Sequence, residues 1–252
     1  MSAPFASSRQ KFARAEKHFA DLEREIEAFG QKQPYKRVTE PHPDKPGHFI
    51  FKIKMTEELP PVIADTTADI VSSLRSALDN AGYAIAVAAG VKEPKNSAFP
   101  FAGTLTQMPN ALGRAKDIPE PIHSLFCGFQ PYKGGNDLLW ALNQVAITDK
   151  HKVVVPIGQG FVRNRASAQG RGFVSIPDPP VWDRTKNEMV ILELGPGAEC
   201  DYDFDFTFFV AFNEIALIDG KQILTILPQF GSIVERVLTA MEAECRRLKI
   251  FK

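Results

Sequence analysis

Near residue 150 the spacing of the apolar residues changes, and this change constrains the fold more than any other feature of the chain. Before it, apolar side chains recur at every third or fourth position, the period of a helix face. After it they alternate or run together, as strand residues do. Helices and strands are thus segregated along the chain rather than interleaved, which predicts an α+β fold.

The elements follow from that pattern. Phe12, Ala15, Phe19, Leu22, Ile26 and Phe29 form one apolar stripe, and Gly30 is placed to end the helix. Tyr35 to Thr39 and His48 to Met55 predict a β-hairpin around the turn-rich EPHPDKPG. Phe49, Phe51, Ile53 and Met55 share one face of it, and Lys52 and Lys54 the other. A second helix starts near Pro60-Pro61 and runs to about Ala89, with Ile63, Ile70, Leu74, Ala77, Leu78, Ala81 and Ile85 as its stripe. Its alanines predict close approach to another helix. Pro94 to Pro119 reads as loop. Helices are predicted over Glu120 to Gly128 and from Asp137 to Thr148, with QPYKGGN as a turn between them.

KVVVPI, GFVRN, EMVILEL and ECDYDFDFTFFVAF favour strands. In NEIALIDGKQILTIL, Asp219-Gly220 lies between two apolar runs, which predicts a hairpin. Ser232 to Lys249 predicts a closing amphipathic helix with Ile233, Val237, Met241, Cys245 and Leu248 inward. The expectation is one body over residues 1–252, with a sub-boundary near 150. Helices pack around the segment 60–89, and an antiparallel sheet comes from the C-terminal half.

Charge and cysteine usage narrow the function classes. Lys plus Arg is 30 and Asp plus Glu is 30, so the net charge is zero. A whole-molecule attraction to nucleic acid or an anionic membrane is not expected, which leaves local patches. Cys127, Cys200 and Cys245 are odd in number and far apart. They argue against a disulfide framework or a zinc cluster and predict a reducing cytoplasm. The N-terminal segment lacks the apolar core of a signal peptide. The weakly apolar run Ala81 to Val91 is short of the roughly 20 residues a spanning helix needs. A soluble cytoplasmic chain without a membrane partner is expected.

One short stretch carries the site hypothesis. In LRSALDN, Leu74 to Asn80, Arg75 and Asp79 are four apart and meet on one helix face. They form either a helix ion pair beside a buried stripe, or a site in which Arg75 holds an anion and Asp79 orients it. LRSALDN in a long helix, then AFPF (Ala98 to Phe101), FQPYKGG (Phe129 to Gly135) and LLWALNQVAITDKHK (Leu138 to Lys152) resemble a group of uncharacterised bacterial proteins. Members of that group read NLRSALDH and LDKHR at these places. The resemblance spans about residues 10 to 165 and implies no established activity.

RSALDH in those members is also similar to the R-x4-H pattern of HEPN ribonucleases. These are helical, commonly dimeric proteins in which Arg and His cleave RNA without metal. Here Asn80 stands where the histidine would be, and an amide cannot act as a general base near neutral pH. The resemblance therefore implies a weak or inactive nuclease, or a base supplied by another residue, and it implies a homodimer.

His151 in ITDKHK is the candidate for that base. Asp149 is placed to fix its tautomer, and histidine titrates near neutral pH. The alternative is C-terminal capping, with Lys150 and His151 on the negative end of the helix dipole. If the two helices are neighbours, Arg75, Asp79, Asn80, Asp149 and His151 make one polar site.

Residues 150–173 hold Lys150, Lys152, Arg163, Arg165 and Arg171 and no acid. VRNRASAQGRG reads either as a flexible basic loop touching phosphates or as a basic strand beside an acidic one. Asn187 to Gly220, with eight acids and no Lys or Arg, supplies the acidic partner. Asp201, Asp203 and Asp205 share one face of a strand, but Phe206 and Phe212 stand where a calcium loop needs Gly and Glu. No phosphate-loop, nucleophile-elbow, dinucleotide or zinc-protease motif occurs, so no metal and no cofactor is expected.

Two functions remain. One is a binding or interaction protein, RNA-associated and without robust catalysis. The other is a metal-independent ribonuclease using Arg75 with His151.

Overall fold

The computed structural model describes residues 4–148, 153–169, 172–177 and 180–251, with the side chains of 160–169 and 201–204 left aside. It divides into two compact units, each assembled from separated stretches of chain. The first takes Met1–Arg24, Pro61–Val153 and Phe212–Lys252, and the second Glu25–Pro60 and Val154–Ala211.

The first unit is helical. α1 (Ala6–Gln31) contributes its part up to Arg24, followed by α2 (Pro61–Ala88), α3 (Met108–Leu112), α4 (Glu120–Gly128), α5 (Asp137–Ile147) and α6 (Ile223–Arg247). All seven residues of the predicted α2 stripe are buried, and α2 lies against α5 and α6. Pro61 opens α2, where the missing N–H removes no helical hydrogen bond. The Asn136 side chain caps α5 by accepting the Leu139 N–H at 3.1 Å.

Two sequence expectations are corrected here. Pro94–Pro119 is not loop throughout: a 3-10 turn (Leu105–Gln107), α3 and a second 3-10 turn (Gly113–Ala115) occupy its middle. Pro109 lies in the first turn of α3, where proline is tolerated rather than breaking. Met108, Ala111 and Ala115 are buried at helical spacing. The hairpin predicted at Asp219-Gly220 does not form. Gly220 adopts φ +73° in a turn, and the chain after it enters α6 at Ile223, nine residues before the predicted start. The apolar stripe of the final helix already begins with Ile223, Ile226, Leu227 and Phe230, all buried. Helical burial thus outweighs the hairpin signal of the Asp-Gly pair.

α6 is long and apolar enough to cross a membrane, but ten of its residues are buried within the structure. We read it as a core helix. One of the ten is Cys245, whose thiol is pushed up to about 12 by burial, with Glu244 and Glu242 adding to the shift. A thiol reagent at pH 8 is expected to modify exposed Cys127 quickly and Cys245 only after denaturation. Rapid labelling of Cys245 in the native chain, read by peptide mass, would contradict that placement.

The second unit carries the sheets. A five-stranded antiparallel sheet has the order β1 (Tyr35–Pro41), β2 (Phe49–Met55), β6 (Glu188–Leu194), β4 (Val174–Ser175), with β5 (Trp182–Asp183) also on β6. The sheet is therefore not drawn from the C-terminal half alone: the predicted hairpin supplies two of its strands. The physical reason is that a lone hairpin is marginal in water. Ile53 is buried, and Phe51 and Met55 are partly buried, against Met189, Ile191, Leu192 and Leu194 of β6. Lys52, on the other face, bonds to Glu40 at 2.9 Å and to Glu188 at 3.0 Å.

β3 (Val154–Gln169) pairs with β7 (Glu199–Phe212) in a second, two-stranded sheet. VRNRASAQ is therefore strand rather than loop, and the basic segment lies beside the acidic one. Cys200 and Phe206 of β7 pack on the β6 core.

Candidate functional site

The face of α2 that carries LRSALDN does not make the ion pair its spacing suggests. No salt bridge joins Arg75 to Asp79 among the described residues. Both instead engage the AFPF segment. Asp79 Oδ1 accepts the Phe99 N–H at 2.9 Å, and the Arg75 guanidinium lies over the Phe101 ring, 5.8 Å from its centroid. Three residues on from Asp79, Gly82 lets the Ser97 carbonyl approach. Arg75, Asp79 and Gly82 therefore form one stripe that seats residues 97–101.

Phe101 places a second arginine. Arg114, in the turn after α3, donates to the Phe101 carbonyl at 3.3 Å. Its own carbonyl accepts the Ala98 N–H at 3.0 Å. Asp117 closes the other end of the segment by accepting the Lys95 and Asn96 N–H groups, both at 2.7 Å.

Arg75 and Arg114 line one cavity of about 380 Å³. Four carboxamides, Gln107, Asn110, Asn143 and Gln144, line it too, and among the described residues no carboxylate does. Gln107 Oε1 already accepts the Gly103 N–H at 3.1 Å. Arg75 Nε is buried without a hydrogen-bond partner. Asp79 is not among the cavity's lining residues, but both arginines act on it electrostatically. Burial pushes its carboxyl above the ordinary carboxylate range, against the Phe99 N–H and the charges of Arg75 and Arg114, which pull it down. Among the described residues the cavity lining itself carries two cations and no acid.

The sequence candidates separate. Arg75 and Asp79 belong to this region. Asn80 points elsewhere, donating to Ser7 Oγ at 2.9 Å near the start of α1. α2 and α5 are neighbours, and Gln144 and Ile147 of α5 share the cavity with Arg75. Asp149, Lys150, His151 and Lys152 lie outside the described residues, as does Arg171. Arg163 and Arg165 fall on β3 where side chains are outside the description. Sequence reasoning missed Arg114 and the four amides. Reading α3 from Met108, Ala111 and Ala115 would have moved Arg114 out of a loop, but its meeting with Arg75 is tertiary.

No protein-family model matches the chain, and neither does any curated protein or solved structure.

Proposed function

We propose that the chain is a binding protein that takes a phosphate-class anion in the Arg75–Arg114 cavity, with RNA as the macromolecule that presents it. The reading rests on one observation: two guanidinium groups and four carboxamides converge on a cavity with no carboxylate in its lining among the described residues. Planar guanidinium donors match tetrahedral oxyanions, and amides donate without adding charge. The ribonuclease alternative draws its base from His151, which lies outside the described residues.

Sulfate is a suitable probe, because it stays a dianion across the useful pH range. Arg75→Gln is expected to weaken sulfate binding by about tenfold, the scale of one charge-assisted hydrogen bond. Asp79→Asn keeps an acceptor for the Phe99 N–H and removes the negative charge, so it should tighten binding. The pH dependence has the same sign. Asp79 titrates above the ordinary carboxylate range, so lowering pH through that region neutralises it and strengthens sulfate binding. Asp79→Asn should abolish this rise. Calorimetric titration of both variants decides the matter: equal affinities in the wild type and Arg75→Gln would remove the cavity from consideration.

A short single-stranded RNA separates the source of the anion. If RNA is the ligand, Arg75→Gln should lower the slope of log K against log salt by about one. Sulfate binding without RNA binding would assign the cavity to a free anion.

A further inference from the structure

Three helices of the first unit border a second, half-open cavity, of about 580 Å³. Its walls are apolar: Phe12 and Phe19 of α1, Ile70 and Leu74 of α2, Leu227 and Pro228 of α6. It is separate from the anion cavity, since Leu74 lines this one and Arg75 the other.

The composition of α6 keeps it open. Pro228 and Gly231, the two poorest helix formers, stand three residues apart inside this helix, and both line the cavity. Pro228 has no N–H to give the Leu224 carbonyl. A Cβ on Gly231 would meet no heavy atom within 4 Å, so packing does not require glycine there. Helix stability favours almost any other residue at that position, and a longer side chain would fill the space. Ser232 is already satisfied, its Oγ donating to the Pro228 carbonyl at 2.9 Å. The local sequence therefore preserves a void at the expense of the helix.

The edge of the void is acidic. Glu16 and Glu235 both line it. Arg9 holds Glu235 at 2.6 Å and reaches Glu242 at 3.4 Å. Exposed Glu16 makes no ion pair among the described residues. An apolar chamber with one uncommitted carboxylate at its edge suits an apolar molecule with a cationic head.

We propose that this cavity binds a small apolar amine, its hydrocarbon between Phe12, Phe19 and Leu74 and its ammonium at Glu16. The test uses the full chain with two probes of equal length, octylammonium and octanoate, titrated calorimetrically. Octylammonium should bind saturably at one site and octanoate about tenfold more weakly, a difference of one charge contact. Gly231→Leu should abolish binding of both probes while far-UV circular dichroism is retained. Glu16→Gln, at an exposed position with no folding role, should remove the preference for octylammonium. The proposal is overturned if the wild type takes up no octylammonium, if octanoate binds as well, or if folded Gly231→Leu binds like the wild type. An unchanged preference in Glu16→Gln also overturns it, whatever the fate of Gly231→Leu.

Discussion

Gly82→Ala is expected to destabilise the helical unit by about 2 kcal/mol, although alanine is the better helix former by about 1 kcal/mol. The sign is set by one distance. A Cβ at residue 82 would stand 2.1 Å from the Ser97 carbonyl oxygen and 3.1 Å from Ile118 Cδ1. The oxygen is backbone and cannot swing away. Its segment is held by the Asn96 N–H on Asp117, the Ala98 N–H on the Arg114 carbonyl and the Phe99 N–H on Asp79. Moving Ser97 therefore strains three hydrogen bonds. For a chain of this size the loss corresponds to a fall in Tm of about 4–8 °C. Gly231→Ala is the control of opposite sign. Its Cβ enters open space, so it should gain about 0.5–1 kcal/mol. Thermal melts of the two variants test the close approach directly. A Gly82→Ala protein as stable as Gly231→Ala would mean that α2 and residues 97–101 are not in contact as described.

The same stripe shows how far the sequence could be read. Arg75 and Asp79 were visible as a helix face, because helical spacing is a local property. Their partners were not. Nothing in AFPF announces that its second residue donates a backbone N–H to Asp79 and its fourth offers a ring to Arg75. The ion-pair reading followed from spacing alone, and tertiary contacts displaced it. Local pattern was enough for α4, whose bounds match the expectation at both ends, and for the hairpin of β1 and β2. It failed where two local signals competed. Asp219-Gly220 is a strong turn signal, and the turn exists, but the apolar run after it serves a helix because Ile223 to Phe230 continue the stripe of α6. Pro228 hid that continuity, since proline inside an apolar run reads as an end.

The cavity lined by Arg75 and Arg114 was half legible for a related reason. Its guanidinium on α2 stood in a motif, whereas Arg114 stood in a stretch read as loop. Charge-pattern reasoning looked to residues 150–173, where basic residues are dense. That segment forms β3, whose backbone pairs with the acidic β7.

Phe99→Ala should have the largest effect of any single change near this cavity, about 3–5 kcal/mol. Phe99 is 3 % exposed and meets Phe101 at 4.9 Å and Phe126 at 5.1 Å between ring centroids, both in edge-to-face geometry. Its N–H bond to Asp79 survives in alanine, so the loss reports the ring alone. The consequence reaches function through Phe101. That residue positions Arg75 by its ring and Arg114 by its carbonyl, and Phe99 is what its ring packs against. With Phe99 truncated, both guanidinium groups remain but their platform loosens, so sulfate affinity should fall along with stability. Phe99→Leu, which keeps most of the volume, should lose less than about 1.5 kcal/mol and retain most of the affinity. Urea unfolding and sulfate titration of both variants distinguish the links of this chain of argument. A small loss of stability in Phe99→Ala would deny that the ring is packed. A large loss with sulfate affinity intact would deny that Phe101 sets the arginines, and would make the AFPF segment a structural pin with no part in binding.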